Sequence, residues 1–121
     1  MMKEQNAQKG RIGEARAEHY LKKLGYKILK TNYRCTAGEI DIIAADGNVL
    51  VFFEVKSRKN TDFGNPSEAV NYKKQQHIAK TAITYIKQNN LFSLPVRFDV
   101  VEIINDDIKL IKDAFQTDIW Y

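Results

Sequence analysis

One cysteine, two prolines, one tryptophan and two histidines in 121 residues exclude several chemistries at the outset. Cys35 has no second thiol for an internal disulfide and no Cys/His companions for a structural zinc site, so it reads as an ordinary thiol. No apolar run is long enough to span a bilayer. The opening MMKEQNAQKGRIGEA also lacks the hydrophobic stretch of a leader peptide, which predicts a cytoplasmic protein with no membrane partner. Low-complexity tracts and internal repeats are absent too, so a single domain over residues 1–121 is expected, large enough to bury a core without staples.

Charge, by contrast, is plentiful and unevenly spread. The net charge is +4, but residues 1–34 carry nine Lys/Arg against three Glu, while residues 91–121 carry three against six acids. A basic N-terminal third is suited to attracting phosphates, although solvated helix and loop charges give the same count.

Hydrophobic periodicity then supplies the elements. Ala17, Tyr20, Leu21 and Leu24 recur at i, i+3, i+4, i+7 and predict a helix over 7–24, stopped by Gly25. At roughly 100° per residue, Glu14 falls on the edge of that stripe and faces the body of the protein, with His19 about opposite. A short strand at about 26–30 follows, and TNYRCTAG reads as loop. Two strands, about 39–45 and 49–57, flank Asp46-Gly47-Asn48 and predict a hairpin.

Because side chains alternate, Glu39, Asp41 and Ile43 share one side of the first strand, and Phe52, Glu54 and Lys56 one side of the second. A Gly47-Asn48 turn sets Asp41 opposite Glu54 and Glu39 opposite Lys56. An Asp46-Gly47 turn instead makes Glu54 the diagonal neighbour of Asp41. Both registers put the charged set on one face. KNTDFGN reads as a loop, Asn65-Pro66-Ser67-Glu68 carries helix-start signals, and helical spacing continues to about Gln88. A strand at 96–104, the turn NDD and the segment IKLIKDAF close the chain. The order α-β-β-β-α-β-β predicts an α/β fold with a mixed sheet flanked by helices, the second helix crossing over between parallel neighbours.

Carboxylates opposed in a sheet repel, and Lys56 alone does not balance Asp41, Glu54, Glu39 and an inward Glu14. A hard divalent cation does. Asp41 and Glu54, with the Val55 carbonyl, are the expected ligands of Mg²⁺ or Mn²⁺, with Glu14 reaching in through a water. Such a centre suits phosphodiester hydrolysis, with Lys56 holding the attacking water or offsetting developing charge. Imidazole is not needed, and His19 and His77 read as surface or packing residues.

The order helix-Glu, Asp, Glu-x-Lys resembles the PD-(D/E)XK nuclease superfamily. Within it, the chain is similar to the archaeal Holliday junction resolvases and, more closely, to their bacterial YraN-like relatives. KGRIGEARAEHYLKKLGYKILKTNYR, GEIDIIAADGNVLVFFEVKSR, GNPSEAV and RFDVV occur in order over about residues 9–104. Ile40 replaces the proline that names the motif, but the carboxylate after it is the chemically necessary element. The resemblance implies a restriction-endonuclease-like core and catalytic positions at Glu14, Asp41, Glu54 and Lys56, with Glu39 as an additional acid. It also implies a metal-dependent endonuclease acting on branched or damaged DNA, and junction-cutting relatives act as dimers, which admits a homodimer here. Arg34, Ser57, Arg58, Lys73, Lys74 and Gln75 flank the proposed site and are the candidate phosphate contacts. The alternative is a nucleic-acid-binding module that keeps the fold without turnover.

Overall fold

The computed structural model describes residues 2–58 and 71–117, with side chains from Arg11 onward. Two helices and five strands follow one another as α1 (Met2–Lys23), β1 (Lys27–Cys35), β2 (Gly38–Asp46), β3 (Val49–Arg58), α2 (Tyr72–Gln88), β4 (Val96–Ile104) and β5 (Asp107–Phe115). The strands lie side by side in chain order, with β3 and β4 parallel and every other neighbouring pair antiparallel. This is the expected mixed-sheet α/β fold. Among the described residues, no helix is long and apolar enough to cross a membrane.

Each face of the sheet carries one helix. Ile78, Ala79, Ala82 and Ile86 of α2 pack with Ile40, Ile43, Phe52, Phe98 and Val100. On the other face, Ala17 and Leu21 of α1 pack with Ile42, Ala44, Val51, Phe53, Val101 and Ile103. The buried stripe of α1 is therefore Gly13, Ala17 and Leu21 at intervals of four, whereas Leu24, expected within it, is 52% exposed. Leu24 lies at the helix end. There Gly25 adopts φ +98°, its N–H reaches the Lys22 carbonyl, and the Tyr26 N–H reaches Leu21, the paired bonds of a Schellman cap.

β1 extends five residues past the expected strand. TNYRC, read above as loop, pairs with β2 through Thr31↔Ile42, Tyr33↔Ile40, Arg34↔Glu39 and Cys35↔Gly38. An edge strand tolerates such polar composition, since only Tyr33 must be buried, and it sits edge-to-face on Tyr85 of α2. The Gly47-Asn48 register is the one adopted: Asp46 pairs with Val49, and Gly47 takes φ +60°. The start signals at Asn65-Pro66-Ser67-Glu68 lie outside the described residues. α2 as described begins after Asn71, whose side chain accepts from the Lys74 N–H at 2.9 Å.

Two irregularities shape the sheet's ends. Ile40 lies in the α2-side core and Ile42 in the α1-side core, although strict alternation would put both on one face. The break falls on Asp41, where the pairing passes from Tyr33↔Ile40 to Thr31↔Ile42 across Asn32 at φ +51°. At the far end, Arg97 forks onto the buried Asp99 through Nε and Nη2, each at 2.9 Å, and also donates to Asp46 and the Tyr26 hydroxyl. Asp99 accepts in addition from the Asp113 N–H at 2.8 Å, where β5 breaks register against β4 and Asp113 takes φ +52°.

Candidate metal centre and its lysines

The centre forms where β2 and β3 part. Their ladder ends at Ile42↔Phe53, so the next outward-pointing N–H of β3, on Val55, has no backbone partner on β2. Asp41 supplies one: its Oδ2 accepts from the Val55 N–H at 2.8 Å. The fault in alternation at Asp41 lets its carboxylate turn along the sheet edge in this way, and it also shifts Glu39 to the side covered by α1.

α1 brings the third acid. Gly13 is buried, and a Cβ there would sit 3.4 Å from the Ser57 Cβ, so helix and strand approach closely at this point. The next residue, Glu14, is thereby delivered over the parting strands. One carboxylate oxygen from each of Glu14, Glu39 and Asp41 lies within 4.8 Å of the others. Burial and then the charge of Glu54 push the Asp41 carboxyl up to about 7, with Glu14 and Glu39 adding to the rise and the Val55 N–H opposing it. Three converging hard oxygen donors, one of them an acid whose charge burial and the neighbouring carboxylates disfavour until a cation joins them, fit Mg²⁺ or Mn²⁺.

Glu54 projects to the α2 side of β3 and is buried. Its Oε1 accepts from the Lys74 ammonium at 2.5 Å, and Lys56 Nζ lies 3.8 Å from the same oxygen. Burial, then the hydrogen bond and charge of Lys74, pulls the Lys56 amine below its usual value. Lys74 goes the other way: burial alone would lower it, but the hydrogen bond and charge of Glu54 outweigh this and raise it.

The structure therefore gathers Glu14, Glu39, Asp41, Glu54 and Lys56 at one end of the sheet, but divides them. Glu39, expected as an additional acid, belongs to the three-carboxylate cluster, while Glu54, expected as a ligand beside Asp41, is bound to an ammonium. Val55 turns its N–H, and not its carbonyl, to Asp41. Because a strand residue's N–H and C=O project from the same edge, its carbonyl belongs to that edge as well.

The candidate phosphate contacts scatter. Arg34 pairs with Glu39 at 3.2 Å and is largely exposed. Ser57 is exposed on the α1 side, Lys73 is exposed at the start of α2, and Gln75 is half-buried beside it. Lys74 points into the centre. Arg58 is drawn inward, its side chain 12% exposed and its Nε 3.9 Å from Glu102. His77 is exposed with Nδ1 3.0 Å from the Ala37 carbonyl, and His19 is exposed on α1.

Glu102 itself is absent from the expected set. It pairs with Lys56 across the β3–β4 ladder, is 4% exposed, and its Oε2 has no hydrogen-bond partner among the described residues. The signal that singles out Glu54, an acid inside an apolar strand, is equally present in VVEII.

A family model described as "Uncharacterised protein family UPF0102" matches residues 13–103. A "UPF0102 protein" of Clostridium tetani is 53% identical over 121 residues, covering 95% of this chain and 99% of the relative. One of Clostridium kluyveri is 51% identical over 113 residues, covering 88% and 93%. One of Caldicellulosiruptor saccharolyticus is 46% identical over 112 residues, covering 88% and 95%.

Proposed function

Because the chain belongs to the UPF0102 (YraN-like) family, whose description names no chemistry, we propose its function from the site: a metal-dependent endonuclease of the PD-(D/E)XK kind. The substrate is DNA, in branched or damaged form, and the reaction is phosphodiester hydrolysis. The observation that carries this reading is the convergence of Glu14, Glu39 and Asp41 at the strand end that also carries Glu54 and Lys56.

Glu14, Glu39 and Asp41 would hold Mg²⁺ or Mn²⁺, with Glu54 and the Val55 carbonyl adjoining. When bound, the ion supplies positive charge for the phosphate oxygens and acidity for a water. The chain's own groups do the rest. Asp41 is anchored by the Val55 N–H, so one of its oxygens is fixed in place. Lys56, whose amine burial and Lys74 pull below its ordinary value, is suited to hold the attacking water by donating to it or to offset the charge developing on the phosphate. Arg34, Lys73 and Gln75 at the rim are the proposed contacts for flanking phosphates. A homodimer would supply the two active sites that paired incisions in a two-fold junction require.

The test is direct. Labelled linear, flap and four-way-junction DNA, incubated with Mg²⁺ or Mn²⁺, should be cut by the wild type and cut at least about 10²-fold more slowly by Glu54→Ala and Lys56→Ala. Equal cleavage by the variants would assign the nicking to a contaminant. The second reading, a nucleic-acid-binding module without turnover, is favoured by the basic N-terminal third. It requires tight DNA binding that persists in EDTA with no cutting by any variant.

A further inference from the structure

The ammonium of Lys74 stands where a cation adjoining Asp41 would be expected. Glu54 is one of the carboxylates that disfavour charge on Asp41, yet it projects to the α2 side of β3, where Lys74 holds its Oε1 at 2.5 Å, and it is not part of the three-acid cluster. Two features make this contact unlike an ordinary surface pair. Glu54 is buried, so its negative charge must be compensated from within the protein. Lys74 is the third helical residue after Asn71, on a capped and therefore positioned first turn of α2, and its chain is long and flexible.

We propose that Lys74 is a tethered counter-ion for Glu54, which a divalent cation displaces when it binds, freeing the carboxylate as a ligand and the ammonium for the DNA phosphate. This rests on the metal-dependent reading above and adds a competition to it. The metal-free centre is stable because Lys74 neutralises the acid that Mg²⁺ or Mn²⁺ would otherwise have to meet. Metal and lysine are then alternatives on the same oxygen. Once displaced, the ammonium remains on the α2 side of the centre beside Lys56, where it can neutralise a phosphate oxygen.

The experiment is Mn²⁺ titration by calorimetry on DNA-free protein. Lys74→Gln should bind Mn²⁺ about tenfold tighter than the wild type, the scale of one charge-assisted hydrogen bond no longer competing. Lys74→Arg should stay near the wild type. Lys80→Gln, an exposed charge further along α2, should change the affinity less than about twofold, separating competition from general repulsion. In a Glu54→Gln background the effect of Lys74→Gln should vanish, because the carboxylate for which the cations compete is gone.

An unchanged or weaker affinity in Lys74→Gln, with Mn²⁺ bound by the wild type, would overturn the inference and leave the metal centre intact. Absence of Mn²⁺ binding in both proteins would overturn the inference and the metal-dependent reading together. Should Lys74→Gln fail to fold, a wild-type crystal grown with Mn²⁺ decides: the Lys74–Glu54 contact should be broken, and its persistence beside a bound ion would overturn the inference.

Discussion

Asp41 keeps its proton up to about pH 7 because burial and Glu54 disfavour its charge, whereas the unfolded chain releases the same proton near the ordinary value of 3.8. Between these values the native state binds more protons than the unfolded one. Stability of the metal-free protein should therefore fall as pH rises from about 4 to about 7. Thermal melts in EDTA at pH 5.5 and pH 8 check the sign, and Asp41→Asn should flatten the difference. Added Mn²⁺ should reverse it and release a proton on binding near neutral pH, visible in calorimetry as a dependence on buffer ionisation enthalpy.

Asp41, Glu54 and Lys56 were legible as a group because charge inside an Ile/Val/Phe strand demands a partner. Glu14 was legible because its place on the helical wheel faced it inward. What escaped was the division among them. Lys74 reads in sequence as a candidate phosphate contact, and nothing in one dimension says that its ammonium meets a carboxylate twenty residues earlier.

At the level of elements, the hairpin and crossover were readable from turn chemistry and periodicity, but β1 was not. Its TNYRC half has no alternating apolar pattern, since an edge strand buries little and is held by the β2 ladder. The face reversal at Asp41 is hidden for a related reason: residue periodicity carries no sign of a break in alternation there, and it is the left-handed Asn32 opposite that marks the fault. RFDVV reads in sequence only as part of the family resemblance. The structure gives Arg97 and Asp99 a bracing role, joining β2, β4 and β5 at the end away from the acids. Asp99→Ala would leave the Asp113 N–H without its carboxylate and Arg97 with only Asp46 and the Tyr26 hydroxyl, and should cost about 3 kcal/mol in urea unfolding, the lower end of the range for breaking a buried ion pair.

For the molecule as a whole, the sheet separates two electrostatic tasks: a compensated ion pair at one end and an excess of like charge at the other. Basic residues before Cys35 outnumber acids nine to three, which on the proposed reading would let this region attract DNA phosphates without the metal. DNA binding in EDTA should weaken log-linearly with salt, by about 0.9 in slope for each phosphate neutralised. Arg34→Ala and Lys73→Ala should each lower that slope by about one if they make contact. Filter binding from 50 to 300 mM salt would show it, and a flat profile would exclude electrostatic docking on this surface.

Gly47 closes β2 onto β3 with a two-residue turn, whereas Lys74 arrives only with the crossover helix. A chain leaving the ribosome therefore exposes Glu39, Asp41 and Glu54 before Lys74 has emerged to neutralise Glu54. On the proposed metal-dependent reading, the nascent acids would then meet the cell's own magnesium with Lys56 but not yet Lys74 beside Glu54, and the order of emergence would favour loading before α2 docks.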